Sequence, residues 1–445
     1  MVVARKAKPV VGSLLIMDEL RTMVGYGTAG VAFNPPPTEL KKGDLVVLRT
    51  TAPGSYHVVS NAAGRQYHLA INSTFLHPTR EALKKASETL VNDCKGQSPI
   101  GKGYGFYGND PEVFVLDGNG LVMPAFSFLP SKQDAVWENA TERFTLNASP
   151  EKPHLNGRKV FYDGFQAEFT SPAHTCFGYG CDYTRFGLKS IRDRARKIDP
   201  KAELTWAPVV DVPLDLIANS PKEGVLMGCD PSKNAYTGEE NPALLTLDPY
   251  QLPFRFAGYH IHFGVGKKSE ATYRRIVRAL DAIVGVFSVA IFDGMEDPRR
   301  RLYYGLAGEY RTPEHGLEWR TLSSCVLCHP GTFHLLSDLS RVASCMAQAG
   351  WRRVWKSAPD KVRSIINNLD VEEARKLIKD NASALKMMLS GPYGKDAKPV
   401  TNALTLAEKG VKQLMPLDMV KNWRLSQDWG HHSNNNTAFW STVTF

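Results

Sequence analysis

Residues 256–266 read FAGYHIHFGVG. Tyr259, Ile261 and Phe263 alternate with His260 and His262. That is the period of a half-buried strand, whose successive side chains point to opposite faces. His260 and His262 therefore share a face, and Gly258 and Gly264 flank them. A residue without a Cβ lets another backbone or a phosphate approach closely. A lone strand histidine is most often structural. Two on one face between glycines favour a metal or phosphate role, because imidazole serves both.

Similar strand patterns recur on both sides, as PEVFVLD (111–117), KVFYDGFQAEFTS (159–171), ELTWAPVVDV (203–212) and GLEWRTLSS (316–324). Two helices are expected between them. Over 183–198, Leu188, Ile191, Ala195 and Ile198 share a face; over 270–292 an apolar stripe runs through Tyr273, Ile276, Val277, Leu280, Ile283, Val284 and Phe287. Paired strands with long insertions predict an α+β fold rather than a regular βαβ array. No glycine-rich strand–turn–helix fingerprint for a dinucleotide or phosphate is present.

The flanks differ from this core. Residues 1–95 predict a small β-rich unit, with short β-branched runs (DLVVLRTT, SYHVVS, RQYHLAINSTF) and a helix over 78–93 capped by Thr79. Residues 96–345 form the expected catalytic region, and 346–445 a helical extension punctuated by Pro392, Pro399 and Pro416. Of 445 residues, 54 are Lys or Arg and 45 Asp or Glu, a net charge of +9. A mild basic surplus fits an anionic partner such as a nucleotide or acidic metabolite, with nucleic acid less favoured. No apolar run reaches the ~20 residues that span a bilayer. The start carries no cleavable leader pattern, and the seven cysteines are an odd number, so reduced thiols in a cytoplasm are expected.

Four motifs carry chemistry. In GNDPEVFVLDGNG (108–120), Asp110 and Glu112 lie two apart on one strand face, where two carboxylates repel unless a cation sits between them; the competing reading is an Asp-Pro turn. In DGFQAEFTSP (163–172), Glu168 is on the polar face of a strand and is the preferred ligand. Asp163 is held in reserve, because its odd spacing puts it on the opposite face of a regular strand. The third motif is His260 and His262. In LYYGLAGEYRTPEHGLEWRTLSS (302–324), Arg311 precedes a Pro/Gly turn and Glu318 shares a face with Arg320; guanidinium matches phosphate and carboxylate oxygens. An ordinary Glu–Arg pair is the competing reading. Arg299, Arg300 and Arg301 are either a solvated run or a guide for a triphosphate.

Taken in order, GNDPEVFVLD, GFQAEF, GYHIHFG and GEYRTPEHGLEWRTLS resemble the phage-type carboxylate–amine ligases (COOH–NH2 ligase type 2, amidoligases) of the glutamine synthetase and glutamate–cysteine ligase superfamily. The resemblance spans about residues 105–325. It implies a curved antiparallel sheet of glutamine synthetase type with helices behind it. It also implies ATP and Mg²⁺ (or Mn²⁺), and an amide bond made through an acyl phosphate with release of ADP. Carried over by motif, Asp110, Glu112, Glu168, His260 and Glu318 are metal ligands, and His262 contacts a phosphate or the nucleotide. Arg311 and Arg320 steady the γ-phosphoryl group and the acyl phosphate. Imidazole is not generally favoured by Mg²⁺, but this superfamily uses one. Two departures stand out. Asp110 replaces the longer glutamate of glutamine synthetase, and a second acid near Glu168 is not clearly matched.

Other enzyme and non-enzyme readings are a phosphotransferase to a guanidinium-type nitrogen on the same scaffold, and a basic nucleic-acid-binding module. CVLCH (325–329) has the spacing of a c-type haem attachment, which export would be needed to support. Cys176, Cys181, Cys325 and Cys328 are a candidate zinc set, with buried free thiols the preferred reading. The glycine-rich stretches 96–108 and 390–399 are candidate closing loops, because an acyl phosphate must be kept from water.

Overall fold

The computed structural model describes five strands between residues 14 and 70, and residues 107–136, 138–139, 157–171, 177–225, 232–240, 248–265, 267–314, 316–348, 358–385 and 397–427. The expected helix over 78–93, residues 96–106 and 390–396 of the glycine-rich stretches, Cys176 and the tail after 427 lie outside these. The first strands are β1 (Leu14–Ile16), β2 (Phe33–Asn34), β3 (Leu45–Thr51), β4 (Tyr56–Ser60) and β5 (Gln66–Ala70). They pair antiparallel in the order β1-β3-β4-β5-β2.

The large sheet is built around β6 (Tyr107–Leu116), a ten-residue strand buried along most of its length. Its other members are β7 (Val122–Met123), β8 (Glu138–Asn139), β9 (Gly157–Asp163), β10 (Gln166–Thr170) and β11 (Glu203–Thr205). They continue with β13 (Lys233–Asn234), β15 (Tyr259–Phe263), β16 (Glu309–Arg311) and β17 (Leu317–Trp319). The main path runs β13-β16-β17-β15-β6-β10-β9-β8, with β7 and β11 also on β6, and every pairing is antiparallel. The expected strand over 203–212 is divided: β12 (Val209–Asp211) leaves the large sheet to pair with β14 (Phe254–Phe256).

Alternation decides what each face does. Val113, Val115, Ala167, Phe169, Tyr259, Ile261, Leu317 and Trp319 join one apolar core with the helices behind the sheet. Those helices are α1 (Phe177–Ala195), α4 (Glu270–Leu280), α5 (Val286–Ile291), α7 (Pro330–Gln348), α8 (Pro359–Asn368), α9 (Val371–Asp380) and α10 (Ala397–Lys409). The short helices α2 (Leu214–Ala218), α3 (Lys222–Val225) and α6 (Pro298–Arg301) lie in the connections. The helix read over 270–292 is not uniform, because a π-turn at Asp281–Gly285 joins α4 to α5. Helix α1 begins six residues before the apolar stripe suggested, since Gly178 and Gly180 hide its first turn from a periodicity argument. Residue 345 falls inside α7, and Ile366, Leu377, Leu406 and Trp423 belong to the same core as the sheet.

Candidate active site

The intervening residues project from the other face of the sheet, and the register lines them up. Glu168 on β10 is directly opposite Glu112 on β6. Asp110 on β6 is opposite His260 on β15. His262 on β15 is opposite Glu318 on β17, which is opposite Arg311 on β16. Apart from Arg320, which directly follows β17, the residues expected to act thus lie in one band across five adjacent strands.

Asp163 joins them, contrary to the expectation from its spacing. Parity along one strand does not apply, because the chain reverses at Gly164 (φ 70°) and Phe165. Asp163 then pairs with Gln166, two residues from Glu168 and on the same face. Single oxygens of Glu112, Asp163 and Glu168 all lie within 4.8 Å of one another. Glu112 and Glu168 are buried. Lys132 Nζ is 3.9 Å from Glu168 Oε1, but its side chain is 62% exposed, so this pair is solvent-screened.

Burial raises the Glu112 carboxyl above its ordinary range despite the nearby guanidinium of Arg320. Burial, then the charge of Glu112, pushes Asp163 up to about 7. Glu168 is raised well above the usual carboxylate value by burial, against the pull of Lys132. Three closely spaced acids, Glu112 and Glu168 buried and Asp163 part-buried, suit a hard divalent cation, which takes oxygen ligands and would remove the repulsion.

The β17 end has the opposite balance. Arg320 donates to Glu318 Oε1, Arg311 Nη1 is 3.8 Å from the same oxygen, and His260 Nδ1 is 3.5 Å from it. Burial opposes ionisation of Glu318, but Arg320, His262 and Arg311 outweigh it and hold its pKa below the ordinary value. His262 Nε2 is 2.9 Å from Asp110 Oδ2. Burial resists charging His262, yet Asp110 outweighs that and raises it. Burial and then Arg320 hold His260 well below the usual imidazole value.

Two groups of the site were not singled out from the sequence, although Tyr304 lies within the stretch 302–324. Lys132 is in the connection after β7. Tyr304 lies between α6 and β16, buried, with its hydroxyl on Glu112, His260 and Arg320. No local pattern marks either, since both sit in irregular chain.

Two of the three arginines in the run, Arg300 and Arg301, have neither of the expected roles. Arg300 is fully buried and donates to the carbonyls of Thr321 and Leu322. Arg301 donates to the carbonyls of Gly305 and Thr321. Both guanidiniums satisfy the backbone that carries Arg320, where an unpaired carbonyl would be costly. Arg299 pairs with Asp297, the cap of α6, and with Asp211. Nor do the glycines around the histidines open a phosphate cradle at Gly258: a Cβ there would fall 2.8 Å from His260 Nε2 and 2.9 Å from Tyr304 Cε1.

Cys325 and Cys328 are buried free thiols, and Cys181 is buried in the same core. Cys325 donates to the Met295 carbonyl, Cys328 shares a contact with Thr332 Oγ1, and burial pushes the Cys328 thiol up to about 12. Among the described residues, the group gathered for a metal is the three carboxylates, with no cysteine in it. No described helix is long and apolar enough to cross a membrane.

A search of the curated proteins finds no match. Residues 248–412 match the model of a family described as phage phiEco32-like COOH.NH2 ligase, type 2. The matched span holds His260, His262, Arg311, Glu318 and Arg320, and it runs on into the helices as far as α10. Asp110, Glu112 and Glu168 precede it. The match supports the resemblance carried by the motifs: residues 248–412 are similar to the phage-type carboxylate–amine ligases.

Proposed function

We propose that the chain is an ATP-dependent carboxylate–amine ligase that makes an amide or peptide-like bond through an acyl phosphate. One observation carries this reading: a largely buried cluster of Glu112, Asp163 and Glu168 shares a sheet face, two to five strands away, with Arg320 and Arg311. A face that is acidic at one end and cationic at the other suits a nucleotide whose phosphates are bridged by metal.

Glu112, Asp163 and Glu168 would hold one divalent cation, Mg²⁺ or Mn²⁺, and Asp110, His260 and Glu318 are the remaining ligand candidates. A bound cation would supply charge neutralisation at the terminal phosphates. His262, tied to Asp110, would contact a phosphate or the nucleotide. Arg311, part-exposed at the sheet's β16 side, is placed to meet the charge that develops on the transferring phosphoryl group. Arg320 is buried against Glu318 and Tyr304 and keeps the local potential positive.

In the reaction, a carboxylate oxygen attacks the γ-phosphorus and the bond to ADP breaks. The amine nitrogen then attacks the acyl carbon, loses a proton and expels phosphate. On this reading the sheet is a core of glutamine synthetase type, and 96–345 is its catalytic region between the units 1–95 and 346–445. Substrates are a small-molecule or peptide carboxylate and an amine, handled in a cytoplasm.

Incubation with ATP, Mg²⁺, hydroxylamine and a panel of amino acids and short peptides tests the proposal. Carboxylate-dependent hydroxamate and ADP are expected, and both should vanish in Glu112→Gln and Glu318→Gln. ADP release with phosphate on a guanidinium and no hydroxamate would instead establish a phosphotransferase. Salt-sensitive nucleic-acid binding without nucleotide turnover would establish a binding module.

A further inference from the structure

The acid end of the face has a cation beside it. The Lys132 ammonium is 3.9 Å from Glu168 Oε1 and 4.8 Å from the centroid of the Phe161 ring. Phe161 stands directly across from Glu168 in the sheet. We propose that Lys132 is a ligand-contacting residue that makes the Glu112–Asp163–Glu168 cluster select a cation carrying a phosphate group over the bare cation. The inference rests on the cation placed among these acids by the ligase reading, and adds what that cation must bring with it.

An ordinary ion pair does not account for this arrangement. The distance exceeds the ~2.7–2.9 Å of a charge-assisted hydrogen bond, and the Lys132 side chain is 62% exposed against 8% for Glu168. A pair of that kind contributes little to folding. The backbone beneath it, by contrast, is fixed. The Tyr162 amide donates to the Pro130 carbonyl at 3.0 Å, and Lys159 Nζ donates to the carbonyl of Lys132 itself at 2.6 Å. Leu129 and Ala135 are buried on either side. An anchored segment thus lays a long apolar stem against Phe161 and keeps its charged head in water beside the buried acids.

The charge acts with a different sign on each ligand. An ammonium next to the acids repels a divalent cation that approaches alone. It attracts the oxygens of a phosphate that arrives on the cation, and lysine binds phosphate as a point charge with three donors. Arg311 and Arg320 lie two to five strands away at the other end of the face. A phosphate seated on the cation would therefore meet positive charge on both flanks.

The full chain is titrated with Mn²⁺ alone, read by electron paramagnetic resonance. Calorimetry then measures the Mn²⁺ complex of a non-hydrolysable ATP analogue, and Mn²⁺ with inorganic phosphate. Lys132→Gln should bind bare Mn²⁺ about fivefold more tightly. It should bind the nucleotide complex about 10–100-fold more weakly. Lys132→Arg keeps the charge and should return both affinities toward wild type. The urea midpoint of Lys132→Gln should match wild type, since the pair is solvent-screened. Weakening with inorganic phosphate as well assigns the contact to any metal-bound phosphate; weakening confined to the ATP analogue assigns it to the nucleotide, and either supports the proposal. A purely structural role would move both affinities the same way. That result, an unchanged affinity for the nucleotide complex, or a wild type that binds no Mn²⁺ would overturn the proposal. A failed hydroxamate assay alongside the two opposite shifts bears on the ligase reading alone.

Discussion

Glu168 stands directly across from Glu112, one strand away on the same face, and both side chains are buried. Two like charges so placed repel in a medium that screens poorly. The pair, with Asp163, therefore sets how stability depends on pH. Folding raises these carboxyl pKa values, with Asp163 moving from 3.8 to about 7. A raised acid favours the protonated folded state, so its contribution is full below the unfolded value and is lost as pH rises through the folded one. The metal-free chain should lose stability from pH about 4 to about 7. Adding Mg²⁺ or Mn²⁺ should raise Tm more at pH 7.5 than at pH 5. Thermal unfolding with and without EDTA measures this, and an equal shift at both pH values would rule out a cation among these acids.

Arg311 and Arg320 flank Glu318 but differ in burial, and so should their variants. Arg320 is fully buried, and Arg320→Ala removes the nearest counter-charge of Glu318, a loss of up to about 3–5 kcal/mol. Arg311 is part-exposed, and Arg311→Ala should keep the fold. It should lower carboxylate-dependent ADP release by about 10²–10³-fold if the guanidinium meets the transferring group. Urea unfolding together with turnover separates the two effects. Wild-type turnover in Arg311→Ala would remove it from the site.

Alternation made legible which residues share a face within each strand, Asp110 with Glu112, His260 with His262 and Glu318 with Arg320, because β6, β15 and β17 are regular where these residues lie; that the strands bring them and Glu168 onto one face is set by the register between strands, which alternation does not give. The same rule misplaced Asp163, since parity says nothing across the reversal at Gly164. Tyr304 and Lys132 lie in irregular segments where no period operates. The arginine run misled for a different reason: charge in a sequence suggests solvent or ligand, whereas Arg300 and Arg301 turn inward to backbone carbonyls. Such partners are long-range or conformational, and local sequence carries no record of them.

Gly187 shows how the helix layer supports the site. A Cβ at this position of α1 would lie 2.4 Å from Cδ2 of Phe169, the neighbour of Glu168 on β10. Gly187→Ala should cost about 1–3 kcal/mol through overpacking. The strain falls on the strand that carries Glu168, so Mn²⁺ affinity should drop as well. Combining it with Phe169→Leu, which opens space, should restore both. Calorimetric unfolding and Mn²⁺ titration of the single and double variants test the coupling; additive losses would show that the two residues do not press on each other.

Asp281 supports the opposite end of the site from behind. It is fully buried in the π-turn between α4 and α5 and accepts from Trp319 Nε1 at 2.9 Å and Thr321 Oγ1 at 3.1 Å. Trp319 and Thr321 alternate with Glu318 and Arg320, so anchoring the first pair fixes the second. Burial pushes the Asp281 carboxyl from 3.8 up to about 6, against the donors that favour its charge. A raised folded-state value means that its contribution to stability is full below pH 4 and lost as pH rises through 6. A carboxamide does not titrate, so Asp281→Asn should flatten the pH 4–6 segment of the stability profile. The amide also turns a donor toward groups that themselves donate, for a loss of about 1–3 kcal/mol. Urea unfolding at pH 4.5 and pH 7 measures both effects. If the variant keeps the wild-type slope, the carboxyl does not titrate in this window, and the strand that bears Glu318 is held by other contacts.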